Sequence, residues 1–129
     1  MTLLLDTHAI LWSLADDRRL SKRARQLYEG TDKLFFSLVS LWEIGIKLGL
    51  QRRDFMLDAN WWRDVPQTLV SQGAKRLEVE PEHCRTVADL PLHHRDPFDR
   101  MLVAQAISSK CAILSIDRQF DAYEIERVW

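Results

Sequence analysis

The sequence contains little cysteine, glycine or proline, and it has no long hydrophobic run. Its two cysteines, Cys84 and Cys111, stand alone without metal-ligand spacing, which excludes a disulfide scaffold or a zinc finger. Four glycines and four prolines among 129 residues exclude a collagen-like or low-complexity chain. The longest nearly apolar run, residues 34–42, is far shorter than the ~20 residues that a membrane-spanning helix needs.

A strong net charge is also lacking, because 18 basic and 19 acidic residues leave a formal charge of −1. This balance excludes a polycation that binds nucleic acid by bulk attraction. It does not exclude nucleic acid as a substrate, since the net charge does not say where the charges lie.

The length and the 47% hydrophobic content predict one folded domain, residues 1–129. The first residues carry no positive charge, and Asp6 interrupts their apolar run, so a signal peptide is not expected. Cys111 begins an apolar run, where a buried reduced thiol is the ordinary interpretation. We expect a soluble protein of the reducing cytoplasm.

Short apolar segments alternate with amphipathic ones along the chain. The strand-like segments are residues 2–5, 33–37, 76–79, 111–116 and 124–129. Ser40 is predicted to cap a helix that runs to about Gly49, and Asp96 to cap one that opens with a proline. A helix-spaced apolar stripe within residues 51–73 contains Pro66, which is expected to kink or restart that helix. The alternation predicts an α/β domain with a central, mostly parallel sheet flanked by helices.

Four acidic residues lie where a charged side chain is unusual. Asp6 ends the first strand and is the only formal charge in the first fifteen residues. Glu43 lies in an apolar segment, 34–49, in which Lys47 is the only other charged residue. Asp99 lies in the first turn of an apolar helix, and Asp117 directly follows the strand 111–116.

These four positions are expected to face one edge of the sheet, because ligands of parallel α/β sheets bind beyond the carboxyl ends of the strands. Buried carboxylates are costly unless they are paired or hold a metal. A cluster with oxygen ligands only suits Mg²⁺ or Mn²⁺ rather than zinc. Asp96 is well explained as a helix cap and is predicted to lie at the edge of any such site.

Each acid also has an ordinary structural interpretation. Asp6 could cap the first helix, and Glu43 could complete a capping box or pair with the lysine four residues later. Asp99 could complement the helix dipole, and Asp117 could belong to a turn. A purely structural interpretation would require all four acids to lie by coincidence at element junctions that face one edge of the sheet. A shared functional site explains the four positions together.

Four segments form an ordered set along the chain. They are Leu-Leu-Leu-Asp6-Thr-His, Ser37-Leu-Val-Ser-Leu-Trp-Glu43-Ile, His94-Arg-Asp96-Pro-Phe-Asp99-Arg-Met-Leu-Val-Ala-Gln-Ala and Ser115-Ile-Asp117-Arg-Gln-Phe. In order and spacing this set resembles the PIN-domain proteins, with the closest likeness to VapC-type toxins of prokaryotic type II toxin–antitoxin systems. The likeness covers nearly the whole chain and is vaguest over residues 51–75.

The resemblance implies a PIN-like fold and the hydrolysis of RNA phosphodiester bonds with Mg²⁺ or Mn²⁺. Carried over residue by residue, it makes Asp6, Glu43, Asp99 and Asp117 the catalytic and metal-binding quartet, with Asp96 as an additional acid. It also implies a homodimer and a cognate antitoxin that binds the toxin and neutralises it.

Further residues near the quartet have weaker assignments. Ser115 stands where the family often has a hydroxyl that orients ligand or water. Lys47 and Arg100 are candidates for contacting substrate phosphate, although salt bridges to the neighbouring acids are favoured. The histidines His8, His93 and His94 are not expected to be catalytic, since a metal that activates water removes the need for a histidine base. Of these three, His8 is expected to lie nearest to the site.

Five cations occur within eight residues, at Arg18, Arg19, Lys22, Arg23 and Arg25. They form either a solvated helix face or a surface for RNA phosphates or an acidic antitoxin segment. Trp12 and Trp42 lie in apolar helical stretches and are expected to pack in the core. The adjacent Trp61 and Trp62 cannot share one helix face, so at least one is expected to meet a groove, a partner or a second subunit.

Two other functions compete with the nuclease. A Mg²⁺-dependent phosphatase with an aspartyl nucleophile would also carry Asp6 at a strand end, but such enzymes have a second Asp where this chain has His8. A catalytically silent PIN-like module that serves binding or regulation is disfavoured by the intact quartet. Setting aside these four acids and Asp96 leaves 14 acidic against 18 basic residues. The remainder of the chain is therefore mildly basic.

Overall fold

The structure is a computed structural model, and it describes residues 1–50 and 57–129. The described strands form one sheet in which all neighbouring strands run parallel. They are β1 (Thr2–Leu5), β2 (Lys33–Ser37), β3 (Ala74–Leu77), β4 (Ala112–Leu114) and β5 (Arg127–Val128), in the spatial order β3-β2-β1-β4-β5. The predicted α/β class with a central parallel sheet is confirmed.

Helices cover both faces of this sheet. They are α1 (Thr7–Leu14), α2 (Lys22–Gly30), α3 (Leu38–Gly49), α4 (Trp61–Ser71), α5 (Pro81–Asp89) and α6 (Pro97–Ser109), and a 3₁₀ helix (Arg118–Ala122) follows β4. Leu3 and Leu5 of β1 pack in one buried cluster with Leu69 of α4, whereas Leu4 packs in another with Leu102 of α6. Because successive strand side chains point to opposite faces, each face of the sheet has its own core. Among the described residues, no helix is long and apolar enough to cross a membrane.

The third strand and the fourth helix differ from their predictions. β3 begins at Ala74 rather than at residue 76, because Gly73, with φ of +93°, turns the chain directly after α4. The helix α4 continues through Pro66, so the predicted restart at this proline is wrong. Val65 and Leu69 are buried on either side of Pro66, so the helix packs against the core here although proline donates no backbone hydrogen bond. Of the segment 51–73, residues 51–56 lie outside the described residues.

The helix α3 begins three residues before its predicted start. Ser37, not Ser40, is the N-cap, and its side chain accepts a hydrogen bond of 3.1 Å from the Val39 N–H. Ser40 is instead buried inside the helix, where its hydroxyl lies 3.0 Å from the Thr7 hydroxyl. The capping-box interpretation of Glu43 is therefore wrong, and this side chain has another role.

The tryptophans divide between the core and the surface. Trp12 is partly buried and meets Trp129 edge-on, with 5.7 Å between the ring centroids. The prediction that Trp42 packs in the core is wrong, because this side chain is 62% exposed. The buried side of α3 carries Val39, Ser40, Glu43 and Ile44. Its outer, exposed side carries Leu38, Trp42 and Ile46. Trp61 packs against the core, whereas Trp62 is 61% exposed.

Candidate active site

The carboxyl ends of β1 and β4 border a cleft of about 270 Å³. Strand β1 has β2 on one side and β4 on the other, and open α/β sheets bind ligands where the strand order reverses in this way. The cleft is lined by Asp6, Thr7, His8, Glu43, Lys47, His94, Asp96, Asp99, Ile116, Asp117 and Gln119. All four predicted acids and the additional acid, Asp96, therefore lie together.

Asp6 both caps a helix and faces the cleft. Its Oδ1 accepts a hydrogen bond of 2.7 Å from the Ala9 N–H at the start of α1. Its Oδ2 accepts a hydrogen bond from the hydroxyl of Ser115, which is fully buried and in turn accepts the Asp117 N–H at 3.0 Å. Burial raises the pKa of Asp6 from 3.8 to about 6, against the lowering effect of these hydrogen bonds.

Glu43 is buried on the inner side of α3 and has two partners. The Thr7 hydroxyl donates to Oε1 at 2.6 Å, and Lys47 Nζ lies 2.5 Å from Oε2. Thr7 belongs to α1 and Lys47 to the next turn of α3, so the carboxylate is fixed from two helices. The expected pairing of Lys47 with Glu43 is confirmed, and the lysine remains beside the cleft that it lines.

Asp96 and Asp99 are brought into the cleft by the start of α6. Asp96 is the N-cap, and its Oδ1 accepts hydrogen bonds from the N–H groups of Phe98 at 2.8 Å and Asp99 at 3.3 Å. Burial raises the pKa of Asp99 from 3.8 to about 8, and the charges of Asp96, Glu43, Asp6 and Asp117 raise it further in that order.

His94 is a site residue that the sequence reasoning passed over. It is buried, and its Nε2 lies 2.9 Å from Asp99 Oδ2 and 3.2 Å from Asp117 Oδ2. His8, expected to lie nearest, lines the cleft as well, but its ring packs against Trp12 at 5.3 Å between centroids. The available signal was the position of His94 two residues before the helix cap, inside the same segment as the acids.

Arg100 is not among the described residues that line the cleft, and the favoured prediction of a salt bridge to Asp99 is wrong. Its contact with a substrate phosphate stays a prediction. Its guanidinium donates to the carbonyl oxygens of Val87, Leu90 and Pro91 at 3.0, 3.3 and 2.9 Å, and to Tyr123 Oη at 3.3 Å. These carbonyls belong to the end of α5 and the residues just after it. The side chain therefore ties α6 to α5, because helix carboxyl ends leave carbonyl groups unpaired.

Among the described residues, cations balance the acids of the cleft only in part. Of the described residues that line it, five are carboxylic acids and Lys47 is the only lysine or arginine. One ligand atom from each of His94, Asp99 and Asp117 lies within 4.8 Å of the others. None of these described lining residues is a cysteine. This oxygen-rich donor set fits a hard divalent cation better than zinc.

A comparison with known families identifies this fold. Residues 3–126 match the family model of the PIN domain. The chain belongs to the PIN-domain family. It is 26% identical over 132 residues to Ribonuclease VapC22 of Mycobacterium tuberculosis. The aligned region covers 99% of this chain and 98% of that protein. The resemblance to PIN-domain proteins, with VapC-type toxins among the relatives, is confirmed.

Solved structures share the PIN-domain fold over nearly the whole chain. DNA-bound VapBC from Salmonella typhimurium matches with a TM-score of 0.72 at 14% identity, covering 99% of this chain and 97% of the matched chain. VapBC2 from Rickettsia felis, bound to a DNA fragment from its promoter, matches with a TM-score of 0.70 at 9% identity, covering 99% and 98%. At these identities the two matches establish the fold.

The cations of the basic run do not belong to the described residues that line the cleft, and two of them are paired with acids. Arg19 pairs with Asp17 at 2.8 Å, and its guanidinium lies 4.9 Å from the centre of the Trp12 ring. Arg25 pairs with Asp16 at 2.7 Å. The remaining cations are exposed and have no ion pair with another described residue: Arg18, Lys22 and Arg23.

Proposed function

We propose that this PIN-domain protein is a metal-dependent endoribonuclease toxin that hydrolyses RNA phosphodiester bonds and is neutralised by a cognate antitoxin. The proposed catalytic and metal-binding residues are Asp6, Glu43, Asp99 and Asp117, with Asp96 at the edge of the site. The proposed nuclease domain is residues 1–129, and the proposed ion is Mg²⁺ or Mn²⁺. A cytoplasmic location is part of the proposal.

The excess of carboxylates in the cleft carries this proposal. Burial and mutual repulsion raise the pKa of Asp6 to about 6 and that of Asp99 to about 8. Both carboxyl groups would be easier to ionise if a cation joined them. A divalent ion with oxygen ligands supplies that charge, and the residues present therefore fit the ion that the family implies.

Each residue of the site has a part in the proposed chemistry. A bound Mg²⁺ or Mn²⁺ would activate water and neutralise charge that develops on the scissile phosphate. The chain contributes the fixed positions of the acids, because Ser115 holds Asp6 and Thr7 holds Glu43. Lys47 offsets one carboxylate and lines the cleft, where its positive charge would favour the approach of a phosphate.

The partners follow from the relatives and from two surfaces. The related structures are VapBC complexes, which supports an antitoxin partner. The exposed cations Arg18, Lys22 and Arg23 would suit either RNA phosphates or an acidic antitoxin segment. The outer side of α3 exposes Trp42 beside Phe98, with ring centroids 5.1 Å apart, and an exposed apolar surface of this kind supports the proposed homodimer.

The decisive experiment measures cleavage of labelled RNA by the purified protein with Mn²⁺ and with EDTA. We expect cleavage by the wild type with Mn²⁺ only, and none by Asp6→Asn or Asp99→Asn. Asparagine keeps the size of aspartate and can still cap a helix, so circular dichroism should show both variants folded. Growth inhibition on expression should be lost in the same two variants.

Asp89→Asn is the matched control for this experiment. Asp89 is an exposed acid at the end of α5 and does not line the cleft, so its variant should cleave RNA like the wild type. Full activity of Asp6→Asn or Asp99→Asn would refute the site assignment. A wild type that binds a partner but leaves all RNA uncut with Mn²⁺ would support the silent binding module instead.

A further inference from the structure

His94 contacts two of the candidate metal ligands at once. Its Nε2 lies 2.9 Å from Asp99 Oδ2 and 3.2 Å from Asp117 Oδ2. Asp99 belongs to the first turn of α6, whereas Asp117 caps the 3₁₀ helix that follows β4. A single imidazole therefore bridges carboxylates that come from separate elements and would otherwise repel one another.

The ring is held in this position from three sides. Its Nδ1 accepts a hydrogen bond of 3.2 Å from the Asp96 N–H, and its own backbone N–H donates to Tyr123 Oη at 2.8 Å. The ring also lies against Phe120, with 6.0 Å between the centroids. Tyr123 and Phe120 are both buried, so the imidazole has little room to turn.

The bond at Nδ1 decides which nitrogen carries the proton. An Nδ1 that accepts an N–H is unprotonated, so the neutral ring carries its hydrogen on Nε2. That hydrogen points at Asp99 and Asp117. The spacing of the three groups would by itself also suit a metal bound by His94, but an Nε2 that carries hydrogen has no lone pair for a metal.

We propose that His94 is a positioning residue of the active site: it donates its Nε2–H to Asp99 and Asp117 and orients both carboxylates, without itself binding the metal. This inference rests on the proposed function. Carboxylate oxygens retain further acceptor sites after one hydrogen bond, so both acids remain able to bind a cation. Groups that orient metal ligands in this way typically contribute about 10- to 100-fold to metal affinity.

The first test determines the ring tautomer by ¹⁵N NMR, in EDTA and with Mg²⁺. The signals of His94 are assigned by their absence from His94→Gln. We expect hydrogen on Nε2 in both states, because the Asp96 N–H occupies Nδ1. Hydrogen on Nδ1, or its movement to Nδ1 when Mg²⁺ is added, would overturn the inference. This measurement does not depend on RNA cleavage.

The second test measures Mn²⁺ affinity by calorimetry and Mn²⁺–nitrogen coupling by pulsed EPR. We expect His94→Ala to bind Mn²⁺ roughly 10-fold more weakly. Glutamine keeps an N–H donor, so we expect His94→Gln to restore most of this affinity. His93→Gln, at the adjacent exposed histidine, is the control and should bind Mn²⁺ like the wild type. The wild-type spectrum should show no imidazole nitrogen bound to Mn²⁺.

Imidazole coupling to Mn²⁺, or unchanged affinity in His94→Ala, would refute the positioning role. If His94→Ala does not fold, the Mn²⁺ affinity of His94→Gln and the tautomer of the wild-type ring test the positioning role. A wild type that binds no Mn²⁺ would refute the proposed metal site, and the tautomer of the metal-free protein would still show whether His94 donates to the two acids. The two failures are therefore distinguishable.

Discussion

Asp99→Asn should make the metal-free protein more stable while removing its activity. Burial, followed by the charges of nearby acids, raises the pKa of Asp99 to about 8. A carboxyl group with a raised pKa in the folded state favours folding when it is protonated. Its contribution is complete below pH ~4 and is lost as the pH rises through the folded-state pKa. The asparagine variant has no carboxyl group to ionise and should escape this loss.

The interval between the two pKa values sets the size of the effect. From 3.8 to about 8, at 1.36 kcal/mol for each pKa unit, the upper limit is about 6 kcal/mol once the pH exceeds the folded-state pKa. The neighbouring carboxyl groups titrate together with Asp99 and share part of this cost. For the single substitution we therefore expect a gain of about 2–3 kcal/mol at pH 8 and almost none at pH 4.

The assay is urea unfolding in EDTA at pH 4, 6 and 8, repeated at pH 8 with excess Mg²⁺. At 100 times its dissociation constant, Mg²⁺ should stabilise the wild type by about 2.7 kcal/mol and leave Asp99→Asn nearly unchanged. Asp89→Asn, which replaces an exposed acid, should stay within about 0.5 kcal/mol of the wild type throughout. A variant no more stable than the wild type at pH 8 in EDTA would refute the reasoning.

Three further substitutions test other contacts. Lys47→Met should lower the free energy of unfolding, measured with urea in EDTA, by about 3 kcal/mol, because it leaves the buried Glu43 without its ion pair. Added Mn²⁺ should recover part of this loss of stability. Arg100→Met should lower the free energy of unfolding by about 2 kcal/mol, because it removes hydrogen bonds to backbone carbonyls, and a titration should show wild-type Mn²⁺ affinity. A large loss of Mn²⁺ affinity would indicate that Arg100 contributes to the metal site. Trp42→Lys should shift the mass measured by light scattering from dimer to monomer, whereas substitution of the equally exposed Trp62 by lysine should leave the mass unchanged. A Trp42→Lys protein that remains dimeric would exclude the outer side of α3 as the dimer interface.

Much of the fold was predictable because its signals are local. Strand β1 is a continuous apolar run, as expected of a strand buried on both faces, and the residues of Asp96-Pro97 mark the start of α6 unambiguously. The errors came where two local signals competed. Ser37 and Ser40 both suit a helix cap, and only the end of strand β2 decides between them.

The site was predictable in its acids but not in its neutral and basic partners. The acids stood out because a carboxylate in an apolar segment needs a reason. Arg100 follows Asp99 directly, and sequence adjacency suggested a salt bridge, but its side chain leaves the cleft for the end of α5. The sequence argument against His94 is that a histidine base is unnecessary beside a metal. That argument concerns proton transfer and says nothing about holding carboxylates in place.

The capping and catalytic interpretations of the acids do not exclude one another, because a carboxylate has two oxygens and can satisfy both. Asp6 caps α1 with Oδ1 and receives the Ser115 hydroxyl at Oδ2. Asp117 caps the 3₁₀ helix with Oδ1, through the Gln119 N–H at 2.9 Å, and meets His94 with Oδ2. In both residues, capping fixes the side chain and aims the second oxygen at the cleft. Helix caps at the carboxyl ends of strands are therefore a means of building this site, and they do not compete with it.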